Sequence, residues 1–93
     1  MNVKIVEAWV AGKRNECLAC RTLKKEVRQA LDELELADVP IELCESQEDF
    51  DSYGIIVTPM LIVSGKVKSM GRVPTLSRVR FMIEEELAAE KAT

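Results

Sequence analysis

The sequence predicts an α/β fold in which a four-stranded mixed sheet carries helices on both faces, in the order β-α-β-α-β-β-α. Three observations carry that expectation. A β-branched run, Val3 to Val10, precedes a stretch whose apolar residues recur at three- and four-residue steps. An apolar run, Ile55 to Val63, and an alternating run, Lys66 to Met70, are joined by the turn signal Ser64-Gly65. A second amphipathic stretch from Leu76 closes the chain. At 93 residues, one domain spanning 1–93 is expected.

The elements follow in order. Val3 to Val10 reads as one strand buried on at least one face, and Ala11 to Glu16 as a polar loop. Leu23, Val27, Ala30, Leu31 and Leu34 then form the apolar stripe of a helix running to Leu36, closed by Asp38-Val39-Pro40. Ile41 to Cys44 suits a second strand. Ser46-Gln47-Glu48-Asp49 has the Ser-x-x-acid signature of a helix start, with Phe50 and Tyr53 facing inward and Gly54 as its C-terminal cap. Thr58-Pro59 should open the third strand, because proline has no N–H to give to a sheet ladder. Lys66 to Met70 alternates as a partly exposed edge strand does. Thr75 can cap the last helix, or Pro74 can occupy its first turn. Leu76, Val79, Ile83 and Leu87 form its stripe, with Glu84-Glu85-Glu86 on the outer side and fraying after Ala89.

A helical crossover joins the first two strands and is long enough to return the chain parallel. The last two strands form an antiparallel hairpin.

Composition excludes several classes. The net charge of −3 and the lack of aromatic–basic interleaving argue against nucleic acid. No stretch reaches the ~18 apolar residues that cross a bilayer, and no signal core opens the chain, so a cytoplasmic location is expected. With no histidine, the commonest general base and metal ligand is missing. Three cysteines do not suggest a stapled scaffold.

The chemistry gathers at Cys17-Leu18-Ala19-Cys20. Two thiols at this spacing on the first turn of a helix can close a small disulfide ring, or share one metal ion. In a reducing compartment such a pair reads as redox or metal chemistry. The first thiol lies nearest the free N–H groups of the helix, where partial positive charge favours thiolate. That placement lowers a thiol from ~8.5 to between about 3.5 and 7.5. Lys13, Arg14 and Arg21 would add to the effect and Glu16 would oppose it. Cys44, Met60, Met70 and Met82 are expected as core filler.

Taken together, Cys17-Leu18-Ala19-Cys20-Arg21, the stretch Tyr53 to Val67 with its Thr58-Pro59, and Gly71-Arg72-Val73-Pro74 resemble the thioredoxin fold. They are closest to its small glutaredoxin-like branch of redox-active disulfide proteins, and the likeness covers residues 3 to 88. The loop before Cys17 is longer than in that branch. Leu18-Ala19 is neither Gly-Pro nor Pro-Tyr.

The resemblance implies a thiol–disulfide oxidoreductase in which Cys17 attacks and Cys20 resolves. Leu18, Ala19, Thr58, Pro59, Gly71, Arg72 and Val73 would line the substrate groove. Pro59 would be cis beside the thiols, exposing the Thr58 backbone to an extended substrate. No cofactor beyond the Cys17–Cys20 disulfide and no metal is implied. The implied partners are disulfide-containing proteins and a thioredoxin-reductase-type or other dithiol reductant, with the chain acting as a monomer. Full thioredoxins also carry a buried carboxylate beneath the resolving cysteine. Glu7 is the only acid of the first strand, and the favoured expectation leaves it exposed.

Two alternatives stand beside this reading. Cys17 and Cys20 suit copper(I) or zinc in a soft-metal carrier, although small copper chaperones end in a strand and this chain ends in a helix. A non-catalytic interaction module is the other, since fold alone does not give function.

Overall fold

β1 (Val3–Val6) lies inside the main sheet and organises the domain. After it come β2 (Ala8–Val10), β3 (Lys13–Asn15), α1 (Leu18–Glu33), β4 (Ile41–Leu43), α2 (Gln47–Asp51), β5 (Met60–Val63), β6 (Lys66–Met70) and α3 (Leu76–Lys91). The computed structural model describes residues 1–15, 17–54 and 57–91. Glu16, the first two residues of the apolar run at Ile55-Ile56, and the end of the tail at Ala92-Thr93 lie outside the described residues.

The main sheet has the order β4-β1-β5-β6. β1 and β4 are parallel, with Val3 beside Ile41, and α1 makes the crossover between them. β5 runs antiparallel to both β1 and β6, with Met60 opposite Val6 on one side and Met70 on the other. The mixed four-stranded sheet expected from the sequence is therefore present. Ser64 and Gly65 turn the β5–β6 hairpin with φ of 52° and 78°, the paired positive values a two-residue turn needs.

The two faces differ. Val3, Ile5, Leu61 and Val63 pack under α1 (Leu23, Val27, Ala30, Leu31) and α3 (Val79, Met82, Ile83) in one aliphatic core. Burying each large side chain there contributes about 1.5–3 kcal/mol. The opposite face is smaller: Val6, Cys44, Met60 and Ile62 are covered by Trp9, Phe50 and Tyr53. Lys4 crosses this face to reach both carboxylate oxygens of Asp49 on α2, at 2.9 and 3.1 Å. Cys44, Met60 and Met82 are buried as expected, whereas Met70 is 41% exposed at the sheet edge.

Local signals behave largely as read. Ser46 caps α2, its Oγ accepting the Asp49 N–H at 3.1 Å. Thr75 caps α3, its carbonyl accepting the Val79 N–H at 3.0 Å. The C-terminal cap of α2 is Ser52 and not Gly54 as expected; Gly54 lies two residues further on with φ of 76°.

Beyond Met70 and Gly54, four more expectations need correction. Val3 to Val10 is two strands, because the chain leaves the sheet at Glu7 and re-pairs with itself as the β2–β3 hairpin. Ala11-Gly12 makes its turn, with φ of 52° and 75°, so the expected polar loop is half of a ribbon. α1 ends at Glu33 instead of Leu36, since Glu35 takes a left-handed φ of 60° and the Leu36 N–H returns to the Leu31 carbonyl at 2.7 Å. Arg28 then holds the following loop through the carbonyls of Val39 and Ala37 at 3.1 and 3.3 Å.

The remaining two corrections concern acids. Glu86 does not sit on the outer side: it is 5% exposed and lies beneath Lys66 and Lys68. Glu7, expected to face solvent, is fully buried. Among the described residues, no helix is long and apolar enough to cross a membrane.

Candidate active site

The sheet topology brings the sequence-selected residues to one end. The C-terminal end of β1 leads through the hairpin to the N-terminus of α1. β5 starts at that same end, because Met60 pairs with Val6, and β6 finishes there, because Met70 pairs with Met60. Glu7, the Cys17–Cys20 turn, Pro59 and Gly71 therefore share that end of the sheet.

Cys17 is the N-cap of α1, with φ −90° and ψ 168°, and its carbonyl accepts the first helical bond from Arg21 at 3.1 Å. Its Sγ accepts the Cys20 N–H at 3.2 Å, the part a serine or aspartate plays at other helix starts. The two sulfurs lie 2.6 Å apart as free thiols in hydrogen-bond contact. A small movement closes that gap to a disulfide of about 2.05 Å.

The two thiols are unlike each other. Cys17 is half-buried and Cys20 fully buried. The hydrogen bond from the Cys20 thiol, helped by the backbone N–H groups of Cys20 and Ala19, pulls the Cys17 thiol below its ordinary value against the opposing effect of burial. Burial pushes the Cys20 thiol up to about 11, reinforced by its hydrogen bond to Cys17 and by the negative charge of Glu7. The leading causes at Cys17 are thus its own turn and its partner thiol, not Lys13, Arg14 or Arg21. Cys44 is a third case. Burial pushes its thiol up to about 11, and it takes no part in the pair.

Glu7 is the functional candidate that the sequence reading undervalued. Neither of its oxygens has a hydrogen-bond partner among the described residues. Lys24 Nζ stands 3.4 Å from one oxygen and Arg14 Nε 3.6 Å from the other. Two signals pointed here. Lys24 lies one helical turn after Cys20, on the same face of α1, and Arg14 sits in the long insertion before the thiols.

The remaining selected residues divide into two groups. Thr58-Pro59 is a cis peptide, and the Pro59 carbonyl accepts the Gly71 N–H at 2.9 Å. Gly71 has φ of 74°, and a Cβ there would meet Val57 Cγ1 at 2.5 Å, so only glycine lets the two loops close. Leu18 and Val57 present apolar surface at this end, 77% and 52% exposed. Ala19 is half-buried, and Arg72 is exposed. Val73 turns away from the expected groove and packs against the aliphatic core.

The donor set for a metal is small. Among the described residues, no group of three or more cysteine, histidine or carboxylate side chains converges. The arrangement is a pair of neighbouring thiols, one activated and one sheltered, beside a buried carboxylate.

The family model described as a thioredoxin domain matches residues 1–84. No curated protein and no solved structure gives a match.

Proposed function

The chain belongs to the thioredoxin-domain family, and we propose that within it the protein is a thiol–disulfide oxidoreductase reducing protein disulfides through Cys17 and Cys20. Membership and the Cys-x-x-Cys pair support a thiol-based redox role. One observation carries the finer reading: Cys17 Sγ sits at the helix N-cap, bonded by the Cys20 N–H and 2.6 Å from a buried Cys20 Sγ.

The steps follow from that asymmetry. The Cys17 thiolate attacks one sulfur of a substrate disulfide, forming a mixed disulfide and releasing the other sulfur as thiolate. Cys20 must then lose its proton before it can attack. Glu7 is the acceptor in this reading, because its charge acts on the Cys20 thiol and neither of its oxygens has a hydrogen-bond partner among the described residues. The Cys20 thiolate attacks Cys17 Sγ, the second substrate sulfur leaves, and the Cys17–Cys20 disulfide remains. Two electrons have passed to the substrate. A dithiol donor, of the thioredoxin-reductase type or another, returns them.

Leu18, Ala19, Thr58, Pro59 and Gly71 form the substrate-facing surface in this reading. In this reading the redox group is the Cys17–Cys20 disulfide, and the protein works as a monomer in the cytoplasm. The soft-metal alternative would use the same two thiols, with no third cysteine, histidine or carboxylate converging on them among the described residues.

Thiol trapping across graded dithiol buffers tests the reading. A single two-electron transition joining Cys17 to Cys20 and sparing Cys44 is expected, and Cys17→Ser should abolish it. A midpoint near the thioredoxin value of about −270 mV marks a reductant, and one near −120 mV a disulfide donor. Absence of an intramolecular disulfide at every potential would overturn the proposal.

A further inference from the structure

The outer edge of β6 and the start of α3 enclose a groove of about 460 Å³ that begins beside the candidate site. β6 pairs with β5 on one side only, so its other edge is open. Met70, Pro74 and Met82 give the groove an apolar lining, and Arg72 and Arg78 stand on it. Arg72 follows Gly71 directly, and the Gly71 N–H bonds the Pro59 carbonyl, so one end of the groove lies next in the chain to that wall.

The charge of this groove is unusual for the molecule. The whole chain carries −3, yet no acid lines the groove. Lys68, which also lines it, is taken up by Glu85 and Glu86 at 3.1 and 2.7 Å. Arg72 and Arg78 form no ion pair among the described residues, and Arg78 rests over the Phe81 ring at 5.5 Å. By contrast, Lys4, Arg14, Arg28 and Arg80 all lie against carboxylates. Two guanidinium groups with no carboxylate partner among the described residues, set in a groove of mixed polar and apolar lining, suit bidentate pairing with carboxylates of an extended chain.

We propose that this groove takes an acidic, extended segment flanking the target disulfide of a substrate protein, Arg72 and Arg78 pairing with its carboxylates. The inference rests on the disulfide-reductase reading and adds the substrate class. The open β6 edge offers backbone groups to such a strand, and the two arginines set which strands are accepted.

The test uses two peptides with the same intramolecular disulfide, followed on one side by Asp/Glu–Leu or by Lys–Leu alternation. Wild-type protein should reduce the acidic peptide with kcat/KM about tenfold higher in low salt, since two charge pairs at a partly open rim act together. The preference should shrink severalfold in about 0.5 M salt, where screening shortens to a few ångströms. Arg72→Gln with Arg78→Gln should bring the ratio close to one. Redox-inert copies with serine for cysteine should show the same order in Kd on wild-type protein. Equal reduction of both peptides, or preference for the basic one, overturns the groove and leaves the reaction standing. Reduction of neither peptide overturns the reaction, and this inference falls with it.

Discussion

Glu7 and Glu86 are both buried glutamates flanked by two cations, yet they are held in opposite ways. Glu86 on α3 takes Lys68 at 2.7 Å and Lys66 at 3.2 Å, and the Lys68 hydrogen bond holds its carboxyl below the ordinary range. Glu7, at the end of β1, has cations at 3.4 and 3.6 Å and no hydrogen bond to either oxygen among the described residues. A satisfied buried carboxylate fastens one element to another, here α3 to the edge strand. An unsatisfied one costs about 1–3 kcal/mol or more, and it is found at the same end of the sheet as the Cys17–Cys20 pair. The difference separates a brace from the proposed proton acceptor.

Substitution by glutamine keeps the shape of each residue and removes its charge. Glu7→Gln should slow resolution of the mixed disulfide on the order of 100-fold, the usual scale for a lost general base. The measurement is accumulation of the Cys17 mixed disulfide after rapid mixing. It separates two roles, because a Glu7 that acted only through its charge would, once removed, lower the Cys20 thiol and speed resolution. Faster resolution would therefore refute proton acceptance.

Glu86→Gln should leave exchange intact and lower Tm at neutral pH. The sign follows from linkage. A carboxyl depressed in the folded state stabilises above its unfolded pKa, and that stability is lost as pH falls through the folded value. Wild type and Glu86→Gln should then converge in Tm on acidification. A constant difference down to low pH would mean that shape, not the ion pair, is what Glu86 supplies.

Much of this molecule is legible in its sequence, for identifiable reasons. Cys17 and Cys20 act through local geometry, since the N-cap of a helix is set by the few residues around it. Thr58-Pro59 and Ser64-Gly65 are likewise local. The β2–β3 hairpin escaped because Val3 to Val10 is rich in β-branched residues at both ends, and periodicity does not mark where a strand changes partner. Only the Ala11-Gly12 turn announced it. Burial of Glu7 follows from that change, with Arg14 on the returning strand closing over it. Glu86 was readable: it follows Val79 and Ile83 at seven and three residues, on the core face of α3. Grouping it with its acidic neighbours hid that period. The pairing of Lys68 with Glu86 spans 18 residues and two elements, and no local signal encodes it.

The asymmetry of the three cysteines is tested most directly by alkylating the reduced protein with iodoacetamide from pH 4 to 10 and locating the adduct by mass spectrometry. Cys17 alone should react below pH 9, with a midpoint under the ordinary thiol value, while Cys20 and Cys44, both near 11 and buried, stay unmodified. Equal labelling of Cys17 and Cys20, or a Cys17 midpoint at or above the ordinary value, would contradict the division into attacking and resolving thiols.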